Sequence, residues 1–296
     1  MLPIRRLRLR WGDLDRRNLA AFEEIRTQCA TPMGASRRLS FDPVTDGFSF
    51  VNRFAWTHDD LVQLSGELRL AVAAAGASVT GAAAGAAGGR RAVLPGALVG
   101  GALGATLGAA LVVGLARRWP EFGLCGGMAS AAIERWGNTD GRPTAELDRD
   151  EVRDLLRRRQ GATIRSAGAR FVGYWLGARL LGGDSISPPF GAALAREAER
   201  AKRMIDAGRP VVLGLVGNAP DPFEMHQVVA FGYRDQGGET RFDVYDPNAP
   251  GAVRHVTTAT DHGRTRVTTD LPTGPGRRGF HLSKVPGRLG MVFVVS

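Results

Sequence analysis

Three regions of the chain differ in how apolar and polar positions follow one another. Up to about residue 60 the pattern is mixed. A helical period predicts a helix around Leu14–Gln28, and a polar stretch follows it. Phe48, Phe50, Asn52 and Phe54 then recur at every second position, so Gly47–Phe54 is expected to be a short half-buried strand. From Ala71 the charged positions vanish. Ala71–Gly89 is nineteen residues without a charge, Arg90 and Arg91 interrupt, and Ala92–Ala116 adds 25 uncharged residues before Arg117 and Arg118. Beyond Trp119 the pattern is again that of a folded domain. Met128, Ala129, Ala132, Ile133 and Trp136 mark one face of a helix beginning at Cys125. Glu151–Gln160 and Ala192–Ala207 predict two more amphipathic helices, the latter stopped by Gly208. Short strands are predicted at Pro210–Val216, His226–Tyr233, Arg241–Tyr245, Arg264–Thr268 and Met291–Val295. Helices first and strands later predict an α+β fold with segregated elements.

The glycines of the uncharged runs are spaced at four. Gly81, Gly85 and Gly89 form one stripe, and Gly96, Gly100, Gly104 and Gly108 form another. On a helix such positions share a face, so each run would present a smooth groove that lets a second backbone approach closely. In water each glycine costs a helix up to ~1 kcal/mol relative to alanine. The expectation is therefore a helical hairpin at 61–118, buried somewhere apolar, with Arg90 and Arg91 at its tip and Pro95 in the first turn of its second helix. Ala92–Ala116 has the length to cross a hydrocarbon core of ~30 Å at ~1.5 Å per residue, which makes membrane lipid the expected neighbour. The alternatives are a hairpin packed on the rest of the chain, or a low-complexity insertion. Arg69, Arg117 and Arg118 flank the open end, an arrangement that favours holding both main parts of the chain on the cytoplasmic side.

Composition adds limits. With 44% hydrophobic and 23% charged residues the chain belongs with globular proteins. Two cysteines, Cys29 and Cys125, make no disulfide framework, and Cys29 reads as structural. The start, MLPIRRLRLRWGDLDRR, is basic but has no apolar segment or cleavage site, so no cleaved secretory signal is expected; export by another route stays open. A net charge of +10, almost all arginine, would attract polyanions. Basic residues interleaved with aromatics and reader motifs are absent, so nucleic acid is not an expected partner. His58, His255, His262 and His281 lack ligand spacing, and no G-K-[ST] follows the glycines, so no metal and no cofactor are expected.

Chemistry concentrates in three segments. F-G-L-C-G-G-M places Cys125 at a helix start, where the N-terminus favours a thiolate, the glycines are expected to leave the sulfur approachable, and the Cys125 N–H can face an oxyanion. M-H-Q-V-V-A-F-G-Y puts His226 at the mouth of an apolar strand. R-F-D-V-Y-D-P-N-A-P-G puts Asp246 at the end of the next one, and antiparallel pairing would bring it to the imidazole. Nucleophile, base and orienting carboxylate then meet from distant positions. Taken singly, Cys125 reads as a small residue at a tight turn, His226 as a satisfied strand histidine and Asp246 as a turn starter before Pro247.

In that order, L-C-G-G-M, H-Q-V-V-A-F-G-Y and Y-D-P-N-A-P-G resemble uncharacterised bacterial proteins related to papain-like cysteine peptidases, with bacteriocin-processing peptidases as more distant relatives. G-F-S-F-V-N-R-F and G-R-P-V-V-L-G-L-V belong to the same pattern. The resemblance covers most of 41–56 and 119–250 and leaves out the hairpin, which looks like an insertion. It implies a papain-like fold, with 119–296 as catalytic domain and 1–60 contributing a helix and a strand. It further implies a thiol hydrolase acting on a peptide or amide. The chain departs from such peptidases where a glutamine is usual shortly before the cysteine: here stand Arg118, Trp119, Pro120, Glu121, Phe122 and Gly123. Asn52 and Gln160 are the candidate replacements in the oxyanion hole, and peptidase, deamidase and other acyl-transfer chemistry stay open. The hairpin would tether the catalytic domain to a membrane, or insert into one in a delivered toxin. The competing expectation is an inactive papain-like binding module on a membrane-active or scaffold protein.

Overall fold

The computed structural model describes residues 34–88, 90–118, 121–138, 142–180, 188–216, 225–261, 264–271, 288–289 and 291–295. The expected helix at Leu14–Gln28, and Cys29 with it, lie outside these residues. Five α-helices are described: α1 (His58–Gly88), α2 (Arg90–Arg118), α3 (Cys125–Trp136), α4 (Arg149–Leu180) and α5 (Pro188–Asp206). The strands are β1 (Ser36–Arg38), β2 (Phe54–Ala55), β3 (Glu121–Phe122), β4 (Val211–Val216), β5 (His226–Gln236), β6 (Glu239–Tyr245), β7 (Val253–Asp261), β8 (Arg264–Thr269), β9 (Arg288–Leu289) and β10 (Met291–Val294).

Among the described residues all strand pairings are antiparallel: one sheet runs β10-β4-β5-β6-β7-β8-β9 with β1 on β5, and β2 pairs separately with β3. A single residue separates β9 from β10, the two ends of that order, so the sheet curls round on itself. β5 runs through its middle. Its first half pairs with β4, from Leu215↔His226 to Val211↔Ala230, and its second half pairs with β1. Every residue of β4 and the first eight of β5 are buried, as continuous apolar runs covered on both faces should be. β7, V-R-H-V-T-T-A-T-D, is a strand not among those predicted; its β-branched residues, three of them threonine, carry it.

Gly47–Phe54 corrects one expectation. Burial does alternate, with Phe48, Asn52 and Phe54 inside and Ser49 and Arg53 outside, yet only Phe54–Ala55 pairs as strand. The segment is held by single bonds instead: the Phe48 N–H donates to the Tyr245 hydroxyl at 3.0 Å, Ser49 Oγ to the Ala145 carbonyl at 2.6 Å, and the Asn52 N–H to the Pro247 carbonyl at 3.0 Å. Period two reports which side faces the core, not whether a partner strand lies alongside.

A second correction concerns α4, which extends twenty residues past Gln160, to Leu180. The helix continues because it becomes the platform for α1: Ala71 meets Gly168, and Arg165 is paired with Glu67. α1 itself opens with a reciprocal cap, the Thr57 N–H donating to Asp60 Oδ2 at 2.9 Å and the Asp60 N–H to Thr57 Oγ1 at 3.3 Å. Arg153 reaches the same buried carboxylate at 2.5 Å. Helix α1 is thereby anchored to the body at its base.

α1 and α2 form the expected hairpin. A Cβ built on Gly76 would lie 2.4 Å from the Gly100 carbonyl oxygen, and one on Gly104 would lie 2.5 Å from that of Val72. Where the surroundings are described, close approach falls at Gly76, Gly100 and Gly104; of the expected stripes, Gly89 lies outside the described residues. Pro95 falls in the second turn of α2, because the helix starts at Arg90. The outward side of α2 is apolar: Leu94, Leu98, Val99 and Leu103 are 67%, 66%, 60% and 62% exposed. Among the described residues no helix is long and apolar enough to cross a membrane.

The helix contacts give opposite signs to two similar substitutions. Gly114 meets nothing within 4 Å, so Gly114→Ala is expected to gain up to ~1 kcal/mol in urea unfolding. Gly104→Ala is expected to lose ~1–3 kcal/mol, because its methyl must push the two backbones apart. Equal gains from both would show that the helices are not paired in this register.

Candidate active site

α3 begins at Cys125 and is wedged between α4 and β5. The wedge depends on the two glycines after the cysteine. A Cβ on Gly127 would lie 2.1 Å from the Leu156 carbonyl oxygen, and one on Gly126 would lie 2.5 Å from both the Gln227 carboxamide nitrogen and Thr163 Oγ1. These glycines therefore serve close packing, and do not open the sulfur to solvent as expected. Cys125 is only 5% exposed.

His226 starts β5 and Asp246 directly follows β6. Because β5 and β6 are antiparallel, with Val229↔Tyr245 in register, the start of one lies beside the end of the other. His226 Nε2 lies 2.6 Å from Asp246 Oδ1, and both side chains are buried, at 3% and 1% exposure. Burial alone pushes the imidazole pKa down. The Asp246 carboxylate overrides it by charge and hydrogen bond, the Cys125 side chain adds to the effect, and the pKa is pushed up to about 10. With Nε2 taken by Asp246, Nδ1 is the ring nitrogen left for the sulfur. It makes no well-formed hydrogen bond among the described residues, so the Cys125 contact is looser than a closed bond. The structure thus brings Cys125, His226 and Asp246 together.

The two expected oxyanion candidates are occupied otherwise. Asn52 Oδ1 accepts from the Leu124 N–H at 2.6 Å, and Asn52 Nδ2 donates to Asn248 Oδ1 at 3.2 Å. Asn248 Nδ2 in turn lies 3.3 Å from His226 Nε2, and the Asn248 N–H donates to Asp246 Oδ1 at 2.8 Å. Asn52 is therefore a brace between the residue before the nucleophile and the loop that carries the carboxylate. Gln160 Oε1 accepts from the Gly127 N–H at 3.0 Å, which caps the first turn of α3. Cys125 and Gly126 keep N–H groups with no partner inside the helix, so the backbone is the remaining donor set for a developing oxyanion.

Two site residues escaped the sequence. Asn248 looks like an ordinary turn residue after Asp-Pro. Gln227 sits beside His226 in a strand, yet it lies against Gly126, its Nε2 donates to Thr163 Oγ1 at 3.4 Å, and its Oε1 is buried without a hydrogen bond among the described residues. Asp246 Oδ2 is likewise buried and unbonded. A concentration of such uncompensated atoms costs stability and is characteristic of sites kept for chemistry. No group of three or more His, Cys, Asp or Glu suited to a metal occurs among the described residues. Comparison with protein families, with curated proteins and with solved structures finds no match.

Two substitutions test the brace. Asn52→Asp keeps the acceptor for the Leu124 N–H and removes the donor to Asn248; Asn52→Ala removes both. Each is expected to cost at least ~1–3 kcal/mol in urea unfolding and to slow alkylation of Cys125. Wild-type stability and labelling in both would show that the bridge positions nothing.

Proposed function

We propose that the chain is a thiol hydrolase with a papain-like arrangement, acting on a peptide or amide through an acyl-enzyme. The observation that supports it best is the buried His226–Asp246 pair at 2.6 Å with Cys125 acting on the same imidazole. An imidazolium beside a thiol at a helix N-terminus is the setting that holds a thiolate. In the first half-reaction Cys125 Sγ attacks the substrate carbonyl carbon, a C–S bond forms, and the oxyanion faces the N–H groups at the start of α3. The C–N bond then breaks as His226 Nδ1 gives its proton to the leaving amine. In the second half, water attacks the thioester carbonyl while His226 takes its proton; the C–S bond breaks and the acid departs. Asp246 keeps the ring in one orientation and stabilises its charge throughout. With Asn52 and Gln160 both engaged elsewhere, deamidation and other acyl transfers remain within the same proposal.

The hairpin is proposed to associate with a membrane surface through the exposed Leu94, Leu98, Val99 and Leu103. A second reading, an inactive module on a membrane-active protein, draws its support from the burial of Cys125.

Iodoacetamide labelling, read at the Cys125 peptide so that Cys29 does not contribute, separates the two readings. At pH 6 an ordinary thiol is ionised to well under one part in a hundred, so a paired thiolate should label about a hundredfold faster than that. His226→Ala should abolish the difference. Cys125→Ala should abolish any hydrolysis and leave vesicle binding intact. Slow labelling with an ordinary thiol profile, unchanged in His226→Ala, would leave the inactive module as the account.

A further inference from the structure

The outer face of the sheet carries a second feature, on residues the thiol site does not use. Strand register aligns Arg38, Gly232, Asp243 and His255 in one cross-strand row, and Ser36, Arg234, Arg241 and Thr257 in the next. Arg38, Arg234 and Arg241 are exposed, while the residues between them, Tyr233 and Phe242, turn into the core. Arg234 and Arg241 stand directly opposite each other on β5 and β6, a like-charge pair that destabilises a sheet. The surface is concave here: Ser36, Arg38, Arg234, Arg241, Asp243 and His255 border a cavity of about 270 Å³.

What distinguishes the cavity from a solvated basic face is how Arg241 is held. The His255 N–H donates to Asp270 Oδ1 at 2.6 Å, and its ring Nδ1 lies 2.7 Å from Asp270 Oδ2. With Nδ1–H donating to that carboxylate, Nε2 carries the lone pair, and Arg241 donates to it. Arg241 is thus oriented by a neutral acceptor and keeps its full charge. Arg234 has no ion-pair partner among the described residues. The one carboxylate on the cavity rim, Asp243, is engaged by Arg38 at 3.4 Å and lies 3.6 Å from His255 Nε2. Glu239, one row further on the same face, is 3.8 Å from Arg266.

We propose that this cavity binds a phosphate group, with Arg234 and Arg241 as its two clamps and the Asp270–His255 pair setting the Arg241 fork. Guanidinium forks match phosphate oxygens two at a time, and a dianion between Arg234 and Arg241 converts their repulsion into attraction. The volume suits the phosphate moiety of a larger molecule, either a soluble phosphate compound or a lipid headgroup.

Isothermal titration calorimetry of the full chain with inorganic pyrophosphate tests the site. Arg234→Gln and Arg241→Gln should each weaken binding at least tenfold, while Arg142→Gln, an exposed arginine paired with Glu151, should leave it unchanged. All three side chains are at the surface, and far-UV circular dichroism checks that the variants remain folded. Repeating the titration with phosphatidylglycerol or phosphatidylcholine vesicles present assigns the source. Displacement of pyrophosphate by the vesicles identifies a lipid headgroup; undiminished binding identifies a soluble phosphate compound. Equal affinity in wild type and both clamp variants, or no saturable binding by the wild type up to millimolar pyrophosphate, overturns the proposal.

Discussion

An imidazolium and a carboxylate buried together must be paired, because neither charge is tolerated alone in a water-free interior. The His226–Asp246 contact therefore constrains everything around it. It needs the start of β5 and the end of β6 side by side, which the antiparallel register supplies. It needs the loop after Asp246 to stay put. The Asn248 N–H on Asp246 Oδ1 and the Asn52 bridge to the Leu124 N–H do that. A displaced pair would leave two buried charges uncompensated, a loss of ~3–5 kcal/mol.

The second constraint is steric. α3 carries its cysteine to the imidazole only because Gly126 and Gly127 let the helix settle against β5 and α4. The same device recurs in the hairpin, where Gly76, Gly100 and Gly104 bring two helices to backbone contact. In both places glycine gives up helix propensity for proximity. In α3 the result is a cysteine brought to the His226–Asp246 pair; in the hairpin it is two closely packed helices that leave Leu94, Leu98, Val99 and Leu103 exposed.

Much of this was legible in the residues. The strands β4, β5, β6, β8 and β10 were legible as short strands, β4 and the first eight residues of β5 most plainly because both their faces are buried, and α3 was legible by its helical face. The order Cys125, His226, Asp246 suggested a shared site, since a histidine and a carboxylate at facing ends of neighbouring antiparallel strands can meet. Features set by tertiary contact were not legible. The extension of α4 to Leu180 rests on α1 packing against it, and nothing local to 161–180 signals that. Asn52 offered a carboxamide of suitable type, but a sequence cannot say whether it faces a substrate or a neighbouring asparagine. The glycines after Cys125 were read as leaving the sulfur approachable; they instead seat α3 against Leu156, Thr163 and Gln227, a use that only the tertiary contacts reveal. The row of arginines on β1, β5 and β6 needed the strand register before Arg234 and Arg241 could be placed opposite each other.

The charge state of His226 bears most directly on the account. Nitrogen-15 NMR of the imidazole, assigned with His226→Gln, reads protonation at each ring nitrogen. With a folded-state pKa of about 10 against an ordinary 6.5, the ring should be doubly protonated through neutral pH and lose a proton only near pH 10. The stability it contributes would be whole below about pH 6.5 and lost as the pH rises through about 10. A single neutral tautomer at pH 7–8, titrating near the ordinary value, would contradict the buried ion pair and the thiolate chemistry inferred from it.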